Sequence, residues 1–262
     1  MENAHVPITL RNQVRLAAGT IVLLWLMVHA LVVGLGNLLE GWEFWTFLLA
    51  VMTGIVATQL LARRALWRYQ AALGREDLPT AKRQYEMLRD FWGRRGGDAV
   101  KSYGINLLIL EGRYRDALEQ LQALDTKRLG KNGSRIIEVN IAGCLVQLGE
   151  PAKALEMVEP ALPELEAMGP DAACSGHLVV GSAYVLHGKP EKAISHLVRA
   201  KSTNSPFRKS AALFYLGEAY AALGKSDEAR LAYQEAHGVL PNGRYGTRAL
   251  ERIRNQYSDS QD

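Results

Sequence analysis

The chain has 262 residues, 48% of them hydrophobic and 22% charged, a balance that supports packed, ordered structure and excludes a solvated low-complexity chain. Its 31 Lys and Arg against 27 Asp and Glu leave a net charge of only +4, too weak a field to indicate nucleic acid as a partner. Two cysteines, Cys144 and Cys174, are far apart and lack any metal-ligand spacing, so buried reduced thiols are expected instead of a disulfide or a metal site.

In chain order, residues 1–15 form a short N-terminal segment, followed by two uncharged apolar stretches, Leu16–Leu35 and Phe44–Ala62. Each is long enough to cross a hydrocarbon core of about 30 Å at about 1.5 Å per residue. The first is too long for a signal-peptide core and lacks a small-x-small cleavage site, so residues 16–63 are expected to form a transmembrane helical hairpin in contact with membrane lipid. Arg11 and Arg15 precede the first span, Arg63, Arg64 and Arg68 follow the second, and the connecting residues 36–43 hold no cation. Because Lys and Arg resist translocation, both termini are expected in the cytoplasm. Trp42 and Trp45 suit the outer interface of the bilayer, and Trp67 and Tyr69 the inner one. His29 is an ionisable group inside the first span. It is either a functional residue or a neutral imidazole turned toward Thr46, Thr53 or Thr58.

Beyond residue 70 the sequence repeats. Segments starting at Gly112, Gly149, Gly188 and Gly224 each carry Gly, an Ala five residues later and a larger apolar residue four beyond that. The alanines are Ala117, Ala154, Ala193 and Ala229, spaced 37, 39 and 36 residues apart. In the last unit Leu213, Leu216, Gly217, Tyr220, Gly224, Ala229, Tyr233, Ala236 and Pro241 occur in the order of the tetratricopeptide repeat, which the unit resembles; the unit before it matches through Gly181, Tyr184, Gly188, Ala193, Leu197 and Ala200. The two earlier units depart from the pattern, with Leu108 and Leu145 in place of the tyrosine and Ile105 and Ala142 in place of the first glycine.

The resemblance implies an all-α fold: four tetratricopeptide-like repeats over residues 98–243, stacked as an α-solenoid behind the hairpin. Stepping back 36 residues from Ala117 reaches Ala81, which makes residues 64–97 a degenerate first helix pair whose first helix continues out of the second span. Asp77 is its candidate N-cap. Residues 244–262 are expected to form an amphipathic capping helix, with Tyr245, Ala249, Ile253 and Tyr257 on one face, and a disordered tail.

No phosphate loop, dinucleotide fingerprint, zinc-protease helix or nucleophile elbow is present, so no catalytic residue and no cofactor is assigned. The resemblance implies instead a groove lined by the first helix of each unit that binds a protein partner. Its register assigns Ser102, Asn106 and Ile109, then Val139, Asn140 and Val146, then Leu178, Ser182 and Val185, then Phe214, Glu218 and Ala221 to the groove. Relatives that clamp a C-terminal carboxylate use two Asn and three cations. Here Asn106 and Asn140 match, while Ser102, Ser175 and Val179 replace the cations, which implies a mixed apolar groove for an extended or helical peptide. Lys127, Arg128, Lys131 and Arg135, with Arg94 and Arg95, either meet anionic headgroups near the leaflet or form an ordinary solvated loop. The extra residues Pro163–Ala173 are a binding loop or a tolerated insertion.

Anchor and groove together suggest a scaffold or adaptor at a bacterial inner membrane, a placement implied by resemblance to two-span repeat proteins of that kind. The alternatives are a structural subunit that contacts its complex through the hairpin, or a membrane-associated enzyme relying on His29 or on a cluster of residues assembled in space.

Overall fold

The computed structural model describes residues 42–92, 97–125 and 129–257. The first span with His29, Arg11, Arg15, Arg94, Arg95, Lys127, Arg128 and the tail 258–262 lie outside the described residues, as do the side chains of Trp42 and Trp45.

Among the described residues there are twelve helices and no strand. They are α1 (Trp42–Gly74), α2 (Leu78–Trp92), α3 (Gly97–Leu110), α4 (Tyr114–Gln122), α5 (Gly130–Gln147), α6 (Pro151–Val158), α7 (Leu162–Met168), α8 (Pro170–Leu186), α9 (Pro190–Ala200), α10 (Pro206–Ala222), α11 (Ser226–Val239) and α12 (Arg244–Tyr257). The chain divides into two compact units, one of residues up to Gln70 with Thr80–Val100, the other of Ala71–Pro79 with Lys101 onward.

In the first unit, α1 runs without interruption from Trp42 to Gly74, since its interior holds no proline and its one internal glycine, Gly54, does not break it. Its upper part is bare: Leu49, Met52, Ile55, Val56 and Leu60 are all at least half exposed. Ala62, Ala65 and Tyr69 are buried, as are Ala81, Gln84 and Leu88 of α2. Tyr69, expected at a lipid interface, is therefore core at 1% exposure, whereas Trp67, two residues away and so on another helix face, is 69% exposed. Thr53 and Thr58 donate their hydroxyl protons to the carbonyls of Leu49 and Ile55 in their own helix, both at 2.7 Å.

The second unit is built from helix pairs. Each first helix ends in one turn type, because the next residue adopts a left-handed conformation: Gly112 (φ 79°), Gly149 (83°), Gly188 (73°) and Gly224 (72°). The following N–H then donates to the carbonyl five residues back, Arg113 to Leu108, Glu150 to Leu145, Lys189 to Tyr184 and Lys225 to Tyr220, at 2.9–3.0 Å. Gly224→Ala is expected to cost about 1 kcal/mol in urea unfolding, through backbone strain alone, because a Cβ there meets no atom within 4 Å. Pro151 and Pro190 occupy the first turns of α6 and α9, where a missing N–H is harmless.

All five ladder alanines, Ala81, Ala117, Ala154, Ala193 and Ala229, are completely buried. Opposite them the pairs share volume. A Cβ on Gly181 would lie 2.6 Å from Leu197 Cγ, and one on Gly217 2.6 Å from Tyr233 Cε1, so glycine in the first helix makes room for a large residue in the second. One continuous core runs from Val139 to Ala249, and a smaller one gathers Ile105, Ala117, Leu121, Leu124, Ile137 and Cys144.

The extra residues after Pro163 are not a loop. They complete α7, turn at Gly169 (φ 119°) and start α8. Leu162 and Leu165 of α7 are buried, and a Cβ on Gly176 of α8 would lie 2.7 Å from Leu165 Cδ1, so this insertion is held by the close approach of two helices.

Candidate functional site

The twelve groove candidates fall into three groups. Ser102, Asn106, Ile109, Asn140, Leu178, Val185 and Ala221 are partly exposed. Val139 (5%), Val146 (2%), Ser182 (4%) and Phe214 (1%) are buried. These four are a correction to the groove assignment: they fill the space between neighbouring helices and line no open surface. Ser182 donates its proton to the Val179 carbonyl at 3.0 Å, within its own helix. Glu218 is half-buried and already engaged. It accepts two parallel hydrogen bonds from Arg252, at 2.8 and 3.1 Å, and one from Tyr233 at 2.7 Å.

What lies over Phe214 and Glu218 is α12. Its Tyr245 ring sits among Phe207, Phe214 and Tyr215, with centroids 5.6–5.7 Å apart, and the Arg248 guanidinium stands 4.5 Å from the Phe214 ring centre. Gln147, at the end of α5, donates to the hydroxyls of both Tyr215 (3.0 Å) and Tyr245 (3.2 Å). Burial pushes the Tyr245 phenol well above its ordinary pKa of 10, keeping it a neutral hydroxyl.

Arg244 reaches further. Its guanidinium donates to the Leu110 carbonyl at 2.8 Å and the Ile109 carbonyl at 3.4 Å, at the C-terminal end of α3, where the helix dipole favours a cation. It also donates to the Tyr114 hydroxyl and lies 5.5 Å from that ring's centre. Its backbone N–H donates to Glu76 Oε2 at 2.5 Å, with the guanidinium 3.8 Å from Glu76 Oε1. Glu76 is the one non-glycine with positive φ among the described residues, at 54°, and its turn has the form of the four glycine turns, with Asp77 N–H donating to the Ala72 carbonyl at 2.9 Å. A carboxylate has replaced glycine at a strained position where it meets Arg244. Sequence reasoning missed this cluster. The available signal was Glu76, standing 36 residues before Gly112 in the turn register.

The expected cations of a carboxylate clamp are absent from Ser102, Ser175 and Val179, but Arg208 of α10 donates to Ser175 Oγ at 2.7 Å. Asp171 neutralises it at 2.9 Å. Of the candidates for a lipid surface, Arg63, Arg64 and Arg68 are exposed. Lys131 is paired with Glu164 at 3.5 Å, and Arg135 donates to Glu164 at 2.9 Å and to Glu138 at 2.5 Å, so α7 absorbs part of that basic cluster. Separately, a cleft of about 500 Å³ opens between α4, α5 and α6, lined by the apolar Leu118, Ile141, Leu145 and Met157 and the charged Glu150, Lys153 and Glu156.

Cys144 is buried and its thiol is pushed up to about 11; Cys174 is buried and shifted the same way by the same cause, so neither is a reactive thiolate. His177 and His196 face each other, Nδ1 to Nδ1, at 3.0 Å. Among the described residues no three His, Cys, Asp or Glu side chains are placed to hold a metal ion. One helix there, Leu49–Gly74, is long and apolar enough to cross a membrane.

No curated protein matches the chain significantly. Residues 210–242, most of α10 and all of α11, match the family model of the tetratricopeptide repeat. That match, with the same helix-pair turns and buried alanines recurring upstream, supports a tetratricopeptide-repeat protein, an all-helical type whose repeats generally mediate protein–protein interaction.

Proposed function

We propose that the chain is a non-enzymatic scaffold held in a bacterial inner membrane by an N-terminal helical hairpin, with both termini and the repeats cytoplasmic, where it gathers protein partners for assembly of a membrane or envelope complex. The observation that carries this reading is α1 itself: an apolar helix that leaves Leu49, Met52, Ile55, Val56 and Leu60 exposed and continues past the exposed Arg63, Arg64 and Arg68 to Gly74. The apolar length supports an anchor, the trailing cations support a cytoplasmic exit, and the repeats support a protein partner.

Photocrosslinking in intact membranes tests it, with the reactive residue at Asn106 or Asn140, which are partly exposed, and at buried Phe214 as the control. One dominant protein adduct from the two asparagine positions, absent at Phe214, is the expected result. Adducts formed only from Leu49 or Leu60 would replace this reading with that of a structural subunit gripped through its apolar helix.

A further inference from the structure

The bare face of α1 changes its chemistry within one turn. At about 3.6 residues per turn, Leu49, Met52, Val56, Leu60, Arg63 and Trp67 succeed one another along one side of the helix, and Arg64 and Arg68 flank the end of that line. All eight are exposed, Trp67 at 69%. Ala62, Ala65, Tyr69 and Ala72 fall on the opposite side and are buried. From Arg63 to Arg68 the helix rises about 7.5 Å, similar to the roughly 5–8 Å of one polar headgroup layer. These cations are also unneutralised. No Asp or Glu occurs between Phe44 and Arg75, and among the described residues none of the three arginines has a carboxylate partner. Elsewhere the same residue type is paired: Arg113 with Asp116, Arg199 with Glu166, Arg208 with Asp171 and Arg252 with Glu218. Lys131 and Arg135, in the other basic cluster, share Glu164.

We infer that Arg63, Arg64, Trp67 and Arg68 form a binding surface for the headgroups of anionic phospholipid, and that the chain gathers such lipid around α1 in preference to zwitterionic lipid. This rests on α1 being a membrane anchor, and it names the lipid that the anchor selects. The two halves of the face act together. Acyl chains laid against Leu49, Met52, Val56 and Leu60 bring the lipid phosphates level with the guanidinium groups, which take phosphate oxygens in pairs. The Trp67 indole suits the boundary between the two, where one end of the ring is apolar and the other wet. Charge makes the choice between lipids, because a zwitterionic headgroup carries its own cation beside the phosphate and an anionic one does not. A soluble acidic partner would meet the same three arginines but would leave the apolar residues in line with them uncovered.

The test uses the full chain, reconstituted in vesicles of equal parts phosphatidylglycerol and phosphatidylcholine with matched acyl chains. After transfer to detergent, the lipid retained on the chain is counted by native mass spectrometry. An arginine at an anionic surface adds about fivefold, so phosphatidylglycerol is expected to be retained over phosphatidylcholine by at least about that factor. The Arg63→Gln, Arg64→Gln, Arg68→Gln chain is expected to retain the two lipids equally, and the corresponding triple lysine chain to keep most of the preference. Equal retention by the unaltered chain would overturn the inference, and so would a preference that survives in the triple glutamine chain. Glycerol phosphate, the headgroup without acyl chains, is expected to leave the preference intact; if it removes the bound lipid, the site is one for a free anion and the inference fails. Should the glutamine chain fail to reconstitute, salt decides on the unaltered chain: a preference that fades toward about 1 M salt, where screening acts within about 3 Å, supports the arginine surface, and one indifferent to salt rejects it. A chain that does not float with these vesicles at all would sink the anchor reading, whereas one that floats and retains both lipids equally sinks this inference alone.

Discussion

Gly217→Val is expected to lower the stability of the chain by roughly 3 kcal/mol or more, the upper end of what overpacking a core costs. A Cβ at this position would lie 2.6 Å from Tyr233 Cε1 and 2.7 Å from Cδ1, closer than real carbon contacts come. The ring cannot retreat, because Tyr233 is completely buried and its hydroxyl donates to Glu218 at 2.7 Å. For a domain whose whole stability is of order 5–15 kcal/mol, that loss shifts the melting temperature by something like 6–12 °C. Circular dichroism melts of the full chain check it. Two comparisons separate sterics from helix propensity. Gly217→Ala places only the Cβ against the Tyr233 ring and is expected to cost less than Gly217→Val but still to destabilise, although alanine is the better helix former. Gly143→Ala, in α5, meets only Val179 Cγ2 at 3.8 Å and is expected to be neutral or to stabilise by up to about 1 kcal/mol, because alanine is the better helix former. A Gly217→Val chain that melts like the unaltered one would mean that α10 and α11 are not in this close contact.

Acid is expected to loosen the middle of the repeats. His177 of α8 and His196 of α9 meet Nδ1 to Nδ1 at 3.0 Å, so only one proton fits between them. Glu166 of α7 lies 3.2 Å from His177 Nε2 and is itself paired with Arg199 at 2.8 Å; Arg199 stands 3.5 Å from the same nitrogen. Tyr184 of α8 completes the surroundings. Its ring is 6.0 Å from His196, under Lys192, and its phenol is pushed up to about 12 by a hydrogen bond to Glu159. Burial first, with Arg199 added, holds His177 below its ordinary 6.5 against the opposing pull of Glu166; burial and the neighbouring imidazole hold His196 below it too. Below about pH 6.5 the unfolded chain therefore binds more protons than the folded one. Stability is full above that value and falls as the pH drops through the window beneath it, by at most about 1.4 kcal/mol per pH unit for each excess proton. The urea midpoint is expected to be lower at pH 5.5 than at 7.5, and the drop to shrink in a His177→Gln, His196→Gln chain. An equal drop in both chains would place the acid sensitivity among the carboxylates.

Much of the architecture was written locally. An apolar run long enough to span a bilayer, a glycine where the backbone must take positive φ, and an alanine at each 36–39-residue step are signals contained within one repeat, and the buried alanines at Ala81, Ala117, Ala154, Ala193 and Ala229 show how directly such spacing maps onto helix contacts. The form of the inserted α7 was less legible. Leu162 and Leu165 bury against a glycine, Gly176, on another helix, and without that neighbour the segment is equally compatible with a binding loop and with a tolerated insertion.

The working surface was decided by tertiary structure. Register alone assigned Phe214 and Glu218 to an open groove, but both lie under α12, and nothing near residue 214 in the sequence announces what covers it. Arg244 meets Glu76 across 168 residues, a contact set by the summed geometry of every helix pair between them and by no local pattern. The physical reason is one of range. Periodicity, turn chemistry and hydropathy fix which face of each helix is buried, because those preferences are settled within a turn or a repeat. Which distant faces then meet depends on how the pairs accumulate, and only the folded chain expresses that sum.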